Sequence, residues 1–266
     1  MLRKEAAPWG KSSTAGRHHL AHHCADVAAC FEAICDLPVV RARLECTAGR
    51  ELGSPDIVRL CALVFLHDCG KLHPGFQAKA WPSGLWLNGF VSHLEAGAAI
   101  FCSSETRKIA LALNIDALIA WGVDINLLYA VLLHHGRPFK FGDLAQRQWH
   151  KVEAADYDPL LAAEEMGAAM RLWFPEAFRD GGDPLPKGPE FQHLLCGLAT
   201  LADWLGSTEQ IFSYVPDFDP TYWHTARSRA HEALRRVGLD IKQLRAALEG
   251  KADFTTLTGG FAPRAV

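Results

Sequence analysis

No stretch of the 266-residue chain reaches the roughly 18 uncharged apolar residues that a membrane span needs. The opening Met1-Leu2-Arg3-Lys4-Glu5 also lacks an apolar core of signal-peptide length. A soluble, cytosolic protein without a membrane partner is expected. The eight cysteines, at positions 24, 30, 35, 46, 61, 69, 102 and 196, form no C-x-x-C pair. Several lie inside apolar runs and read as reduced, buried thiols. Basic charge is not in excess either: 27 Lys and Arg stand against 30 Asp and Glu, for a net charge of -3. That balance argues against a broad basic surface gripping duplex DNA unaided, although a mildly acidic total alone says nothing about partners. Strand-type alternation is scarce, and neither a low-complexity segment nor an internal repeat is present.

What the chain has is apolar content, 49% of residues, enough for a sizeable core. Its periodicity is helical, with helices expected over approximately 20–36, 55–68, 92–104, 106–121, 124–135, 158–173, 188–210, 220–237 and 240–249. Ser54-Pro55-Asp56 makes a helix start, and Gly122, Gly136 and Gly238 follow helix ends. An all-α helical bundle with its site at the centre is expected. The breaks at Trp81-Pro82-Ser83-Gly84, Gly181-Gly182-Asp183-Pro184 and Pro216-Asp217-Phe218-Asp219-Pro220 look like surface loops, none long enough to divide the chain. One domain is expected over 1–250. Residues 251–266 lose helical periodicity and read as a tail or the start of a linker.

The chemistry is carried by histidines and aspartates. His67-Asp68 closes the apolar run from Ile57 to Leu66, with Lys71 three residues beyond. His23, His93, the tandem His134-His135 before Gly136, and Asp203 in an otherwise apolar stretch complete the set. Mixed imidazole and carboxylate ligands suit Mn, Fe, Co, Ni or Zn, and suit Mg or Ca alone less well. Each residue also has a plainer reading: His23 as a solvated helix residue, His67 as a helix-end histidine meeting the dipole, His93 as a first-turn residue beside a capping Ser92. Tandem His134 and His135 point about 100° apart on a helix, so joint binding needs the helix to end there, as Gly136 suggests. Asp203 needs a partner, because a buried unpaired carboxylate is costly. Five neutral imidazoles and two aspartates carry -2, so two divalent ions would leave the pocket at +2, attractive to a phosphodiester.

In order along the chain, His18-His19-Leu20-Ala21-His22-His23 with Asp26-Val27-Ala28, His67-Asp68-Cys69-Gly70-Lys71 with Phe76-Gln77, His134-His135-Gly136, and Leu201-Ala202-Asp203-Trp204-Leu205-Gly206-Ser207 resemble the HD superfamily of metal-dependent phosphohydrolases. More narrowly they resemble the HD nuclease domain of the CRISPR-associated helicase-nuclease of type I systems. An HD dipeptide alone is a weak signal; the whole ordered set, from about Trp9 to about Leu248, is a strong one. The family commonly has His-Pro-Leu where this chain has His18-His19-Leu20. That leaves either His22 or His23 as the first ligand, with His23, three residues before Asp26, preferred.

The resemblance implies a metal-dependent nuclease cutting single-stranded DNA by attack of a metal-bound hydroxide on phosphorus. It places His23, His67 and Asp203 with Asp68 on one of two divalent ions, and His93, His134 and His135 with Asp68 on the other. The ions would be Mn, Fe, Co or Ni, with Mg or Zn as alternatives. Asp68 is the expected bridge, having two oxygens where an imidazole serves one metal, and ions about 3.5 to 4 Å apart suit a two-metal hydrolysis. Lys71 would meet a metal-bound phosphate as a point charge, or else be merely solvated. Asp26, His18, His22 and Ser207 are expected to support or pack. Partners implied are a helicase, in cis or trans, and the Cascade complex with its guide RNA. An HD enzyme hydrolysing a nucleotide or cyclic dinucleotide is the alternative, disfavoured by the absence of a Gly-Tyr-Pro signature; a non-catalytic module is disfavoured by the complete ligand set. Trp121, Trp173 and Trp204 are expected in the core. Trp81 and Trp86, in a loop, are the candidates for stacking on bases.

Overall fold

The computed structural model describes residues 7–14, 16–136 and 143–242, with 246, 253, 255 and 258–261 beyond. A hairpin of β1 (Trp9–Ser13) and β2 (Gly16–His19) leads into α1 (Leu20–Cys35), α2 (Pro38–Ala48) and α3 (Ser54–Phe65). A 3-10 turn, Cys69–Leu72, precedes the single turn α4 (Pro74–Gln77) and, past a long loop, α5 (His93–Cys102). Then come α6 (Arg107–Ala112), α7 (Ile115–Ala120), α8 (Ile125–Leu132), α9 (Asp143–Gln146), α10 (Pro159–Trp173), α11 (Pro189–Gly206) and α12 (Tyr222–Arg236).

The fold is built around α1. Every α1 residue except Glu32 is buried, and a helix closed to water on all sides is the axis of a core rather than part of its shell. α3, α11 and α12 pack around it. The Asp26 carboxylate and the His22 and His23 imidazoles that this axis buries are therefore held where they must find partners inside the protein. No described helix is long and apolar enough to cross a membrane.

The all-α expectation holds, apart from the hairpin. Several details differ. The chain over 106–121 forms two helices, because Asn114 takes the left-handed conformation (φ 61°) and breaks the first before the second starts. The expected 55–68 helix stops at Phe65, so His67 and Asp68 lie in the turns after it. α2 was not expected. It follows α1 after a two-residue break, starts on Pro38, ends at Gly49 (φ 68°), and buries only Leu44. The expected helix over 240–249 and the tail over 251–266 fall mostly outside the described residues.

Candidate metal centre

Two histidines are presented in the same way. Past the end of α3, His67 Nδ1 lies 3.0 Å from Val64 O; past the end of α8, His134 Nδ1 lies 2.9 Å from Val131 O. A carbonyl only accepts, so in each ring Nδ1 carries a proton, and in the neutral ring Nε2 then holds the lone pair. Both Nε2 atoms are buried without a hydrogen-bond partner. His134 holds this position because α8 gives way to a 3-10 turn, Leu133–His135, which Gly136 terminates at φ 63°. The tandem histidines thus lie past the helix, as their joint use requires.

Asp68, 2% exposed, lies at the centre. Its Oδ2 is 3.1 Å from His23 Nε2, 3.3 Å from His67 Nε2 and 2.5 Å from Lys71 Nζ, while its Oδ1 is 3.5 Å from His93 Nε2. Asp203, delivered by α11, places Oδ1 3.6 Å from His23 Nε2 and 3.7 Å from His67 Nε2, with Oδ2 4.0 Å from His134 Nε2. His93 is the first residue of α5, and its Nε2 is 3.2 Å from His135 Nε2. Ser92 precedes it but makes no side-chain cap.

The donor atoms fall into overlapping groups. Those of His23, His67 and Asp203 lie within 4.8 Å of one another, as do those of His93, His134 and His135. A third group, His67, Asp68 and His134, joins the two. All the residues singled out in the sequence are therefore together, and His22 is not among them. Its Nε2 accepts from Asp219 N at 2.9 Å and its Nδ1 donates to Val215 O at 3.2 Å, so both ring nitrogens are used.

The chemistry of this donor set fits cations. His67 Nε2 faces two carboxylates, Asp68 Oδ2 at 3.3 Å and Asp203 Oδ1 at 3.7 Å, and a lone pair there repels those oxygens unless a positive ion intervenes. Burial, with Lys11 second, pulls the His23 imidazole well below its usual range. Burial likewise takes His93 down to about 4 and His134 down to about 4. Neutral rings are the metal-binding form at neutral pH. Burial pushes the Asp68 carboxyl up, but Lys71 and then His67 outweigh it and hold the group well below the usual carboxylate range.

Lys71 is not a solvated side chain. It is 6% exposed, donates to Gly10 O at 2.8 Å and is paired with Asp68. Gly10 sits at the irregularity in the hairpin, where a Cβ would come 2.9 Å from His23 Cβ, so the hairpin can lie directly over the site. Gln77 ties the two together: its amide donates to Trp9 O at 3.0 Å and Lys71 O at 2.7 Å, and it accepts from Trp9 N at 3.1 Å. Lys11, on the same hairpin, reaches to 4.0 Å from Asp203 Oδ1 with 29% of its side chain exposed. It was missed in the sequence because only strand pairing brings it there. Ser207 Oγ donates to Asp203 Oδ1 at 3.0 Å. His18 accepts from Val215 N at 3.0 Å through Nδ1, so its Nε2–H donates to Asp26 at 2.8 Å, and Tyr222 OH approaches the same carboxylate at 3.3 Å. Asp26, His18, His22 and Ser207, expected to support or pack, are each engaged with other protein groups. Trp173 is buried, and Trp121 packs on the core under the Arg59 guanidinium. The expectation for Trp204 is corrected: it is 69% exposed, because turning Asp203 into the site points the next residue of α11 outward.

A helical domain that closes on a His–Asp dipeptide, with imidazoles and a second aspartate converging from other segments, defines an HD-type metal-dependent hydrolase. A family model described as "Cas3, HD domain" matches residues 9–212, and the chain belongs to that family. The family is one of metal-dependent nucleases of CRISPR defence. The CRISPR-associated endonuclease/helicase Cas3 of Thermus thermophilus is 29% identical over 253 residues, covering 87% of this chain and 25% of the relative. The protein of the same description from Escherichia coli is 28% identical over 267 residues, covering 87% and 30%. The chain thus spans between a quarter and a third of the length of these relatives. A crystal structure of the Thermus thermophilus Cas3 HD domain in the presence of Ni2+ superposes with a TM-score of 0.58 at 25% identity, covering 88% of this chain and 90% of that one.

Proposed function

We propose that this chain is a DNA nuclease of type I CRISPR interference that hydrolyses phosphodiester bonds of single strands with two divalent ions. The observation that carries the reading is the pair of donor groups on either side of Asp68, the ligand atoms of each within 4.8 Å of one another. His23, His67 and Asp203 would hold one ion; His93, His134 and His135 would hold the other; Asp68 has an oxygen toward each group. When bound, such ions supply Lewis acidity at the phosphodiester and bring the pKa of a water toward neutrality. Mn, Fe, Co and Ni fit the mixed nitrogen and oxygen donors, with Mg and Zn as alternatives. Lys71 has two jobs in this reading. Its contacts to Asp68 and Gly10 fix the carboxylate's orientation, and its remaining N–H is available to a phosphate oxygen. Lys11, half at the mouth, adds a second cation on the approach.

Open strands are expected to come from elsewhere. The net charge of -3 gives no basic surface able to hold and part a duplex, and an enclosed site admits only a strand that bends into it. A helicase, in cis or in trans, and a Cascade complex with its guide RNA are the proposed partners, in the cytoplasm. Residues 1–250 form the nuclease domain in this reading, and 251–266 lead toward the helicase.

The test compares one labelled strand, alone and annealed, with Mn, Co or Ni, without ATP, at several salt concentrations. The single strand should be cut and the blunt duplex left nearly intact, with EDTA stopping all cleavage. Efficient cutting of duplex, or activity that survives EDTA, would sink the reading. Separable ion sites give a second expected result. Asp203→Ala, purified without chelator, should hold about one metal where the parent chain holds two, since Asp203 faces His23 and His67. Unchanged stoichiometry would remove Asp203 from the ligand set.

A further inference from the structure

The segment between the 3-10 turn at Ala78–Ala80 and α5 exposes apolar groups that the metal site does not use. Leu87 is 85% exposed and Phe90 62%. Gly84 (φ 91°) and Gly89 (φ 83°) turn the chain sharply, and Trp86 Nε1 donates to Gly89 O at 2.7 Å, which pins the indole within the loop. Lys79 Nζ lies over two rings, 4.1 Å from the centroid of Phe76 and 4.3 Å from that of Phe90. Trp81, Trp86, Phe90 and Lys79 line an open cavity of about 290 Å³. This surface lies beside the metal centre: the buried Phe76 ring under Lys79 is 5.7 Å from the His93 ring.

We infer that this loop is a stacking platform for the DNA strand, at which a base next to the cleavage position lies against Phe90 and Trp86 while its phosphate pairs with Lys79. The inference rests on the single-stranded DNA reading above and names a subsite for it. Three features favour a nucleic-acid strand as the occupant. Half-exposed rings beside a cation are the composition of surfaces that hold single strands, since every base has a face to stack and every linkage a charge to neutralise. The ammonium is already held by the two rings, so binding a phosphate costs little further ordering. The Phe76 ring, buried beneath Lys79, is itself 5.7 Å from the His93 ring, so a base seated on the platform lies beside the proposed cleavage position.

The experiment uses the EDTA-treated 266-residue chain and two fluorescent strands of equal length, oligo(dT) and its abasic counterpart, with binding followed by anisotropy. The parent chain should prefer oligo(dT). Phe90→Ala should weaken oligo(dT) binding about five- to a hundredfold, the range for losing one stacked base, and leave the abasic strand's affinity unchanged. Phe90→Tyr, which keeps the ring, should restore the preference. Lys79→Gln should weaken both strands alike and lower the salt slope by about one ion. Equal affinity of the parent chain for the two strands, or unchanged oligo(dT) binding in both Phe90→Ala and Trp86→Ala, would overturn the inference and leave the exposed rings to a protein partner. A parent chain that keeps the preference yet cuts no strand with Mn would support the platform and count against the nuclease reading alone.

Discussion

Asp68→Ala should lower strand cleavage by about 10³-fold or more while the helical circular dichroism at room temperature stays near that of the parent chain. Asp68 comes nearest to both donor groups: Oδ2 faces His23 and His67 and Oδ1 faces His93 at 3.5 Å, whereas Asp203, which also faces His23 and His67, reaches His134 at 4.0 Å. Losing it costs each proposed ion a ligand and leaves only the longer approach of Asp203 to His134 between the two groups. The same change strands Lys71, 6% exposed, whose ion-pair partner at 2.5 Å disappears while only the Gly10 carbonyl remains. Breaking one side of a buried pair costs about 3–5 kcal/mol, so the melting temperature of the variant should fall even though its helices persist. Asp68→Asn separates the two effects. The amide keeps the shape and an acceptor for Lys71, so stability should recover in part while activity stays lost. Retention of more than about a tenth of the parent activity in either variant would refute the two-ion assignment around Asp68.

Much of this centre was legible because its members are charged or titratable residues in places that otherwise demand apolar ones. Asp203 lies in an apolar helix, and His67-Asp68 ends an apolar run; in both cases the cost of burial announces a partner. α1 and α3 were legible for the same reason, since long apolar stretches leave few alternatives. What stayed hidden depends on contacts between distant segments. The hairpin Trp9–Ser13 and Gly16–His19 has no apolar alternation, because one strand carries Lys11 and Ser12 and the other Arg17 and His18. Its first strand is anchored by Gln77 and Lys71 instead. α2 escaped notice because Val39 and Arg43 face water and only Leu44 is buried, so it has no apolar stripe to find. Trp204 misled in the opposite direction: an apolar neighbourhood in sequence says which helix a residue is on, whereas the direction it points is set by Asp203 beside it.

Gly70→Ala should be strongly damaging although residue 70 is not itself a proposed ligand. The 3-10 turn carrying Cys69, Gly70 and Lys71 lies backbone to backbone against the first turns of α5, which carries His93. A Cβ on residue 70 would come 1.8 Å from His93 O and 2.4 Å from Gly97 N. Neither atom can rotate away, so α5 would have to move as a body, and His93 with it. The 3.5 Å separation of Asp68 Oδ1 from His93 Nε2 depends on this contact. Overpacking of this kind costs about 3 kcal/mol or more, which lowers the melting temperature of a domain this size by roughly 6–12 °C. The variant should also lose the ion proposed for His93, His134 and His135 before the one proposed for His23, His67 and Asp203. Gly97→Ala is the internal control. Its Cβ would meet Leu132 Cδ2 at 2.8 Å, a side-chain atom that can turn aside, and alanine in a helix gains about 0.5–1 kcal/mol over glycine. That variant should melt close to the parent chain. A Gly70→Ala protein with parental melting temperature and two bound metals would mean that the turn and α5 are not held together as described, and the spacing of the two donor groups would need another cause.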